Sequence, residues 1–128
     1  MAGQLNGKSE QDLQDMAAYF ASLPSKFGQA DLDDEGLAKA RAIYKGGILE
    51  KGVAACSACH GPTGVGNMLA GYPMISGQSP GYTEVQLKAY REGERATDEA
   101  FGGMMRGVAG GLTDTEIKVL AAYLSGLH

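Results

Sequence analysis

Cys56, Ser57, Ala58, Cys59 and His60 carry the most specific chemical signal in this chain. Two thiols three positions apart on one helical turn can each form a thioether with one vinyl group of a haem. The residue that follows them then lies beneath the iron as a ligand. C-x-x-C-H is the attachment signature of c-type haem, so the spacing predicts one covalent haem c, its iron bound by His60. Other uses of a cysteine pair fit less well. A thioredoxin-like dithiol needs a βαβ frame, and no apolar strand flanks the motif. A closed zinc site needs four ligands, and the remaining histidine, His128, stands at the far end of the sequence. A plain disulfide leaves the adjacent histidine without a role.

A low-spin haem carrier also needs a sixth ligand, and methionine raises the potential relative to a second histidine. The downstream candidates are Met68, Met74, Met104 and Met105. An internal repeat selects among them. Residues 1–23 align with residues 105–127 at a constant offset of 104. Met1 falls on Met105, Gly3 on Gly107, Gly7 on Gly111, Leu13 on Ile117, and Ala17-Ala18-Tyr19 on Ala121-Ala122-Tyr123. If Met1 is an axial methionine left from an earlier module, its counterpart is Met105, with Met104 in reserve. Both are expected on a glycine-flanked loop after Phe101-Gly102-Gly103, where backbone can approach a flat ring.

The repeat also sets the organisation. Residues 1–23 read as the C-terminal helix of a preceding module, residues 24–32 as a short polar linker, and residues 33–128 as one complete module. Ser9-x-x-Asp12 and Thr113-x-x-Glu116 are capping-box patterns ahead of two helices. Leu13, Met16, Ala17 and Phe20 form an apolar stripe on the first, and Ile117, Leu120, Ala121 and Leu124 on the second. Pro24 stops the first helix. Asp33 or Asp34 caps another, carrying Leu37, Ala40 and Tyr44 and ending at Gly46-Gly47. Ser79-Pro80 opens a further helix with Tyr82, Val85 and Ala89 on one face. Residues 61–81 are glycine-rich and lack a period. With no convincing strand, the expected fold is all-α with long glycine-rich loops.

Composition narrows the function. The chain has 128 residues, 44% hydrophobic and 20% charged, which suits one ordinary globular domain with a short extension. No apolar run reaches the roughly 18 residues of a membrane span. A formal charge of −4 and no basic cluster argue against nucleic acid. The opening residues lack the basic and apolar regions of a secretory leader, so a leader has been removed or the sequence starts elsewhere. Asp31, Asp33, Asp34 and Glu35 form an acidic cluster that suits a helix start and could also steer a basic redox partner. Tyr44, Tyr72, Tyr82, Tyr90 and Tyr123 read mainly as core, with one or two, or Arg91 or Arg95, reaching haem propionates.

Together these residues resemble a class I c-type cytochrome, and specifically the second half of the dihaem cytochromes c4. The resemblance rests on Cys56–His60, on Gly61-Pro62-x-Gly64-x-Gly66-Asn67, and on Gly71-Tyr72-Pro73-x-x-x-Gly77-Gln78. Gln86-Leu87, Arg91-x-Gly93-x-Arg95, Met104-Met105-Arg106 and the final Ala-Ala-Tyr-Leu helix extend it, and residues 1–23 resemble the end of the first haem domain. It implies helices wrapped around one haem, with the module's first and last helices crossing, and His60 and Met105 as axial ligands. It also implies that the Pro73 carbonyl accepts the other His60 nitrogen. Ala40 stands where the family often has glycine at the helix crossing, and a methyl there would spread the helices slightly. The implied role is one-electron transfer in the bacterial periplasm, not catalysis, between a quinol-oxidising complex as donor and a terminal oxidase as acceptor. The alternative is a haem domain of a larger redox enzyme, or a peroxidase or gas-binding protein with an open iron position. A structural or docking role is a third. The first helix, without its usual neighbour, is expected either to fray in solvent or to pack on the haem module or on a second copy of the chain.

Overall fold

The computed structural model describes residues 3–128, so the pairing of Met1 with Met105 lies outside the described residues. Helices start largely where the sequence supplies caps. In α1 (Glu10–Ser22) the Ser9 hydroxyl accepts from the Asp12 N–H at 3.1 Å, and the Asp12 carboxylate accepts from the Ser9 N–H at 2.8 Å. That reciprocal pair satisfies two otherwise orphaned N–H groups. In α2 (Asp34–Gly46) the Asp33 carboxylate accepts from the Gly36 N–H at 2.8 Å. The helix ends where Gly47 turns to φ 70°. A side chain there would also run into the Val53 carbonyl oxygen, so glycine is required. One turn, α3 (Ser57–His60), follows. The next helix, α4 (Pro80–Arg91), begins on proline, but the Ser79 side chain makes no capping bond. Last come α5 (Met104–Ala109) and α6 (Asp114–Ser125). Short 3-10 turns fill the connections, and among the described residues only isolated bridges, Ile48–Val53 and Asn67–Tyr72, have strand character. The architecture is all-α.

The core is built on α6, which packs against α2 and α4. Its stripe of Ile117, Leu120, Ala121 and Leu124 is buried and meets Ala40, Ile43 and Tyr44 of α2. Each fully buried aliphatic side chain contributes about 2 kcal/mol. Ala40 is wholly enclosed, so the α2–α6 crossing accommodates its methyl. On α4 the outcome differs from the expected face. Tyr82 and Val85 are exposed, and the inward row is Thr83, Leu87 and Tyr90. That row repeats at i, i+4, i+7 and brings Leu87 and Tyr90 against the core cluster.

Two loops are tied to α6 by polar contacts. Lys51 reaches both oxygens of Glu116, at 2.8 and 2.9 Å, while the same carboxylate accepts from the Thr113 N–H and hydroxyl. The polar segment 24–32 is no free tether. Gly28 N–H donates to the Ser125 carbonyl at 2.8 Å, and the Ser125 hydroxyl donates to Gln29 at 3.2 Å. Gly126 permits this approach, because a Cβ there would lie 2.6 Å from the Ala30 nitrogen. By contrast α1 buries none of its residues, and Phe20 is 68% exposed. Its stripe does not become part of the module's core.

Burial works to raise the Glu116 pKa, but the bonds from Lys51 and Thr113 outweigh it and hold the carboxyl at about 2. Because the folded value is depressed below the ordinary 4.5, the stabilisation is complete above pH ~4.5 and is lost as pH falls toward 2. Glu116→Gln is expected to cost about 2 kcal/mol at pH 7, and the difference from the parent protein to shrink by pH 3. Guanidinium unfolding of the haem-loaded proteins, followed by circular dichroism at both pH values, checks this.

Candidate haem-binding site

The motif occupies a single turn. His60 N–H donates to the Cys56 carbonyl at 2.9 Å, closing α3, and the Tyr44 hydroxyl holds the Gly61 carbonyl at 2.5 Å. Cys56 and Cys59 are free thiols, neither fully buried. Before attachment, burial pushes the Cys56 thiol up to about 11. His60 is buried, with Nδ1 2.8 Å from the Pro73 carbonyl oxygen. A carbonyl can only accept, so Nδ1 carries the proton and Nε2 keeps the free lone pair. Pro73 reaches this position because the chain doubles back. Asn67 and Tyr72 exchange backbone hydrogen bonds at 2.8 and 3.0 Å, and Gly66 N–H donates to the His60 carbonyl at 2.9 Å. Gly66 has φ 77°, and a Cβ there would sit 2.7 Å from the Pro73 oxygen. The close approach of the two segments therefore requires glycine.

Cys56, Cys59, His60 and Pro73 line a cavity of about 650 Å³. Across it stand Leu87 of α4, Val108 of α5, and Leu120 and Leu124 of α6. Of the candidate methionines, Met74, Met104 and Met105 line it, whereas Met68 does not and is 81% exposed. Met104 and Met105 are not on a loop, as expected from the sequence, but open α5. The reason is Asp98, a buried carboxylate that accepts from the Met105 N–H at 3.1 Å and the Arg106 N–H at 2.8 Å, capping a helix that otherwise starts on glycine. Met105 is the more enclosed of the pair. Tyr44 and Tyr123 belong to the core, their rings 5.5 Å apart, but Tyr72, Tyr82 and Tyr90 line the cavity. Arg91 is engaged elsewhere, with Asp114 at 2.7 Å and the Leu112 carbonyl at 3.0 Å, while Arg95 lines the cavity. His128 lies outside it, beside Phe27.

The donor set suits a covalently held macrocycle: two free thiols, an imidazole with one free nitrogen, and thioethers around an apolar space. Among the described residues, no group of three or more histidine, cysteine, aspartate or glutamate side chains could hold a bare metal ion. The family model for cytochrome c matches residues 38–128. The chain belongs to the cytochrome c family. As a member it carries a covalently bound haem c with iron, and Cys56 and Cys59 fit the family's attachment motif. It is 46% identical over 129 residues to cytochrome c4 of Stutzerimonas stutzeri, a match covering 100% of this chain and 60% of that protein. It is 33% identical over 132 residues to the thiosulfate dehydrogenase electron acceptor of Thiomonas intermedia, covering 98% of this chain and 57% of that one. The crystal structure of reduced recombinant cytochrome c4 from Pseudomonas stutzeri superposes with a TM-score of 0.93 at 44% identity, covering 100% of this chain and 66% of that chain. This cytochrome chain thus spans about 60% of the length of the curated cytochromes c4 it resembles.

Several contributors to the site were not legible in the sequence: Asp98 as the cap of α5, Gly66 as the point of close approach, and Thr83 on the cavity wall. Only the glycine carried a signal, in the Gly64-x-Gly66-Asn67 spacing. Gly66→Ala is expected to push Pro73 away from His60 and to cost about 1–3 kcal/mol. Denaturant unfolding followed at the haem absorption band measures the loss, and the His60 ring N–H resonance should broaden or shift.

Proposed function

We propose that this cytochrome is a one-electron carrier in which His60 and Met105 are the axial ligands. The observation that carries the reading is that His60, with Nδ1 committed to Pro73 and Nε2 free, shares one cavity with Met105 and both attachment cysteines. The haem supplies the chemistry, taking up and releasing one electron at iron. Pro73 orients the His60 ring and raises its basicity. Leu87, Val108, Leu120 and Leu124 exclude water, which favours the less charged metal state. Asp98 positions the backbone of Met105.

Residues 33–128 are the proposed haem unit, with segment 24–32 as its strap and residues 1–23 as a helix of a neighbouring module, a reading supported by the repeat at offset 104. Resemblance to cytochromes c4 supports a place in the bacterial periplasm, between a quinol-oxidising complex and a terminal oxidase. The relatives described as thiosulfate dehydrogenase electron acceptors also support a carrier that serves a larger redox enzyme. No helix among the described residues is long and apolar enough to cross a membrane.

The intact mass should exceed that of the polypeptide by one haem, and the ferric protein should show the absorption band diagnostic of methionine–iron ligation. Met105→Ala is expected to abolish that band, admit carbon monoxide to the reduced iron and lower the potential by on the order of 0.1 V, while Met104→Ala retains the band. Carbon monoxide binding to the unmodified protein would instead favour an open-site haem protein. The exposed stripe of α1 supports self-association, expected as a concentration-dependent mass in light scattering that Leu13→Lys with Phe20→Lys abolishes.

A further inference from the structure

The cavity wall carries a cation, Arg95. Among the described residues, Arg95 is the sole lysine or arginine side chain that lines it, and no carboxylate lies within ion-pair distance of its guanidinium. Its charge lies 4.7 Å from the centre of the Tyr90 ring, which is itself on the cavity wall. Asp98, the one carboxylate among the described residues that lines the cavity, has both oxygens occupied by the backbone N–H groups of Met105 and Arg106. A second polar group bordering the cavity is also unpaired. The Thr83 hydroxyl is buried, borders the cavity and has no hydrogen-bond partner. A half-buried cation and a buried hydroxyl, both short of acceptors, call for an anionic ligand group.

From these two residues we infer that the α4 side of the cavity, through Arg95 and the Thr83 hydroxyl, receives the carboxylate edge of the haem. The inference rests on the family's haem c, whose propionates are its only anionic groups and are therefore the acceptors these donors lack. Arg95 neutralises a propionate by a charge-assisted hydrogen bond, and Tyr90 braces the guanidinium from behind. Arg91 cannot substitute, since its guanidinium is held by Asp114, Glu92 and the Leu112 carbonyl. Arg95 is thus a positioning residue that also sets the charge felt at iron. With it in place the propionate is compensated. Without it an unbalanced negative charge sits beside the iron and favours the ferric state.

The test is potentiometry on the haem-loaded protein. Arg95→Gln should shift the ferrous/ferric equilibrium about tenfold toward ferric, ~59 mV for one electron, while the attached haem mass and the ferric ligation band stay unchanged. Arg95→Lys should recover most of that shift, because it keeps the charge. Thr83→Val should move the haem propionate methylene resonances in NMR with a smaller change of potential. A guanidinium that only stacks on Tyr90 predicts a different pattern: Arg95→Gln would lower the unfolding midpoint but leave the potential and the propionate resonances in place, and the inference would be overturned. Loss of the ligation band in the parent protein would instead defeat the proposed His60–Met105 axial pair and leave the Arg95 comparison readable.

Discussion

The constraint behind the rest of this fold is volume. A chain of 128 residues surrounds a cavity of about 650 Å³ walled by Leu87, Leu112, Leu120 and Leu124, residues that would otherwise form the middle of a core. Left open to water, these apolar side chains would forfeit about 25 cal/mol for each Å² of apolar surface, a serious loss for a small domain. Such a fold therefore depends on its guest. Two thioethers, by making the guest part of the chain, remove the option of losing it. Short helices and long glycine-bearing loops become tolerable because the macrocycle supplies contacts that a larger protein would draw from its own side chains.

The same economy shapes the two sides of the site. His60 is aimed by backbone: a one-turn helix, the doubled-back segment from Asn67 to Tyr72, and the Pro73 carbonyl 2.8 Å from Nδ1. Most of that aim comes from backbone, steadied by the Tyr44 hydroxyl on the Gly61 carbonyl, so small backbone shifts translate directly into ring orientation, and Gly66 is required where the segments touch. Met105 is aimed by a side chain, the buried carboxylate of Asp98, which stands in for a cap that Gly103 cannot provide. One side of the site hangs on loop geometry and the other on a helix start. That division explains why the motif is local in sequence while the proposed sixth ligand, Met105, lies 45 positions after His60.

Much of this was legible before any coordinates, and for physical reasons. Caps are local: Ser9 with Asp12, Asp33, and Thr113 with Glu116 act within one turn, so the residues that announce them also perform them. The haem motif is legible because five adjacent residues do one job. What remained hidden depends on contacts distant in sequence. On α4 the apolar-looking row of Tyr82, Val85 and Ala89 is split: Tyr82 borders the cavity and Val85 faces solvent, while Thr83, Leu87 and Tyr90 form the inward row, because α6 and the cavity, not hydropathy, decide which face turns inward. The Met104–Met105 pair read as loop because the residue that makes it helical, Asp98, belongs to a separate turn. Arg91 and Arg95 looked equivalent until Asp114, 23 residues after Arg91, claimed one of them.

The pair of related helices makes the same point within one molecule. α1 and α6 share a capping box, an apolar stripe and an Ala-Ala-Tyr segment, and both form helices of nearly equal length. Yet α6 buries Ile117, Leu120, Ala121 and Leu124, whereas α1 buries nothing. Local sequence is enough to make a helix in both places, since capping and propensity act over a few residues. Burial is decided by what stands opposite: α2 and α4 for the one, and no helix of this module for the other. The Lys51 contact on Glu116 and the strap on Ser125 then hold α6 against its neighbours. Equivalent sequence therefore carries different energetic weight at the two ends, and an apolar stripe records the surroundings a helix is built for, whether or not they are present.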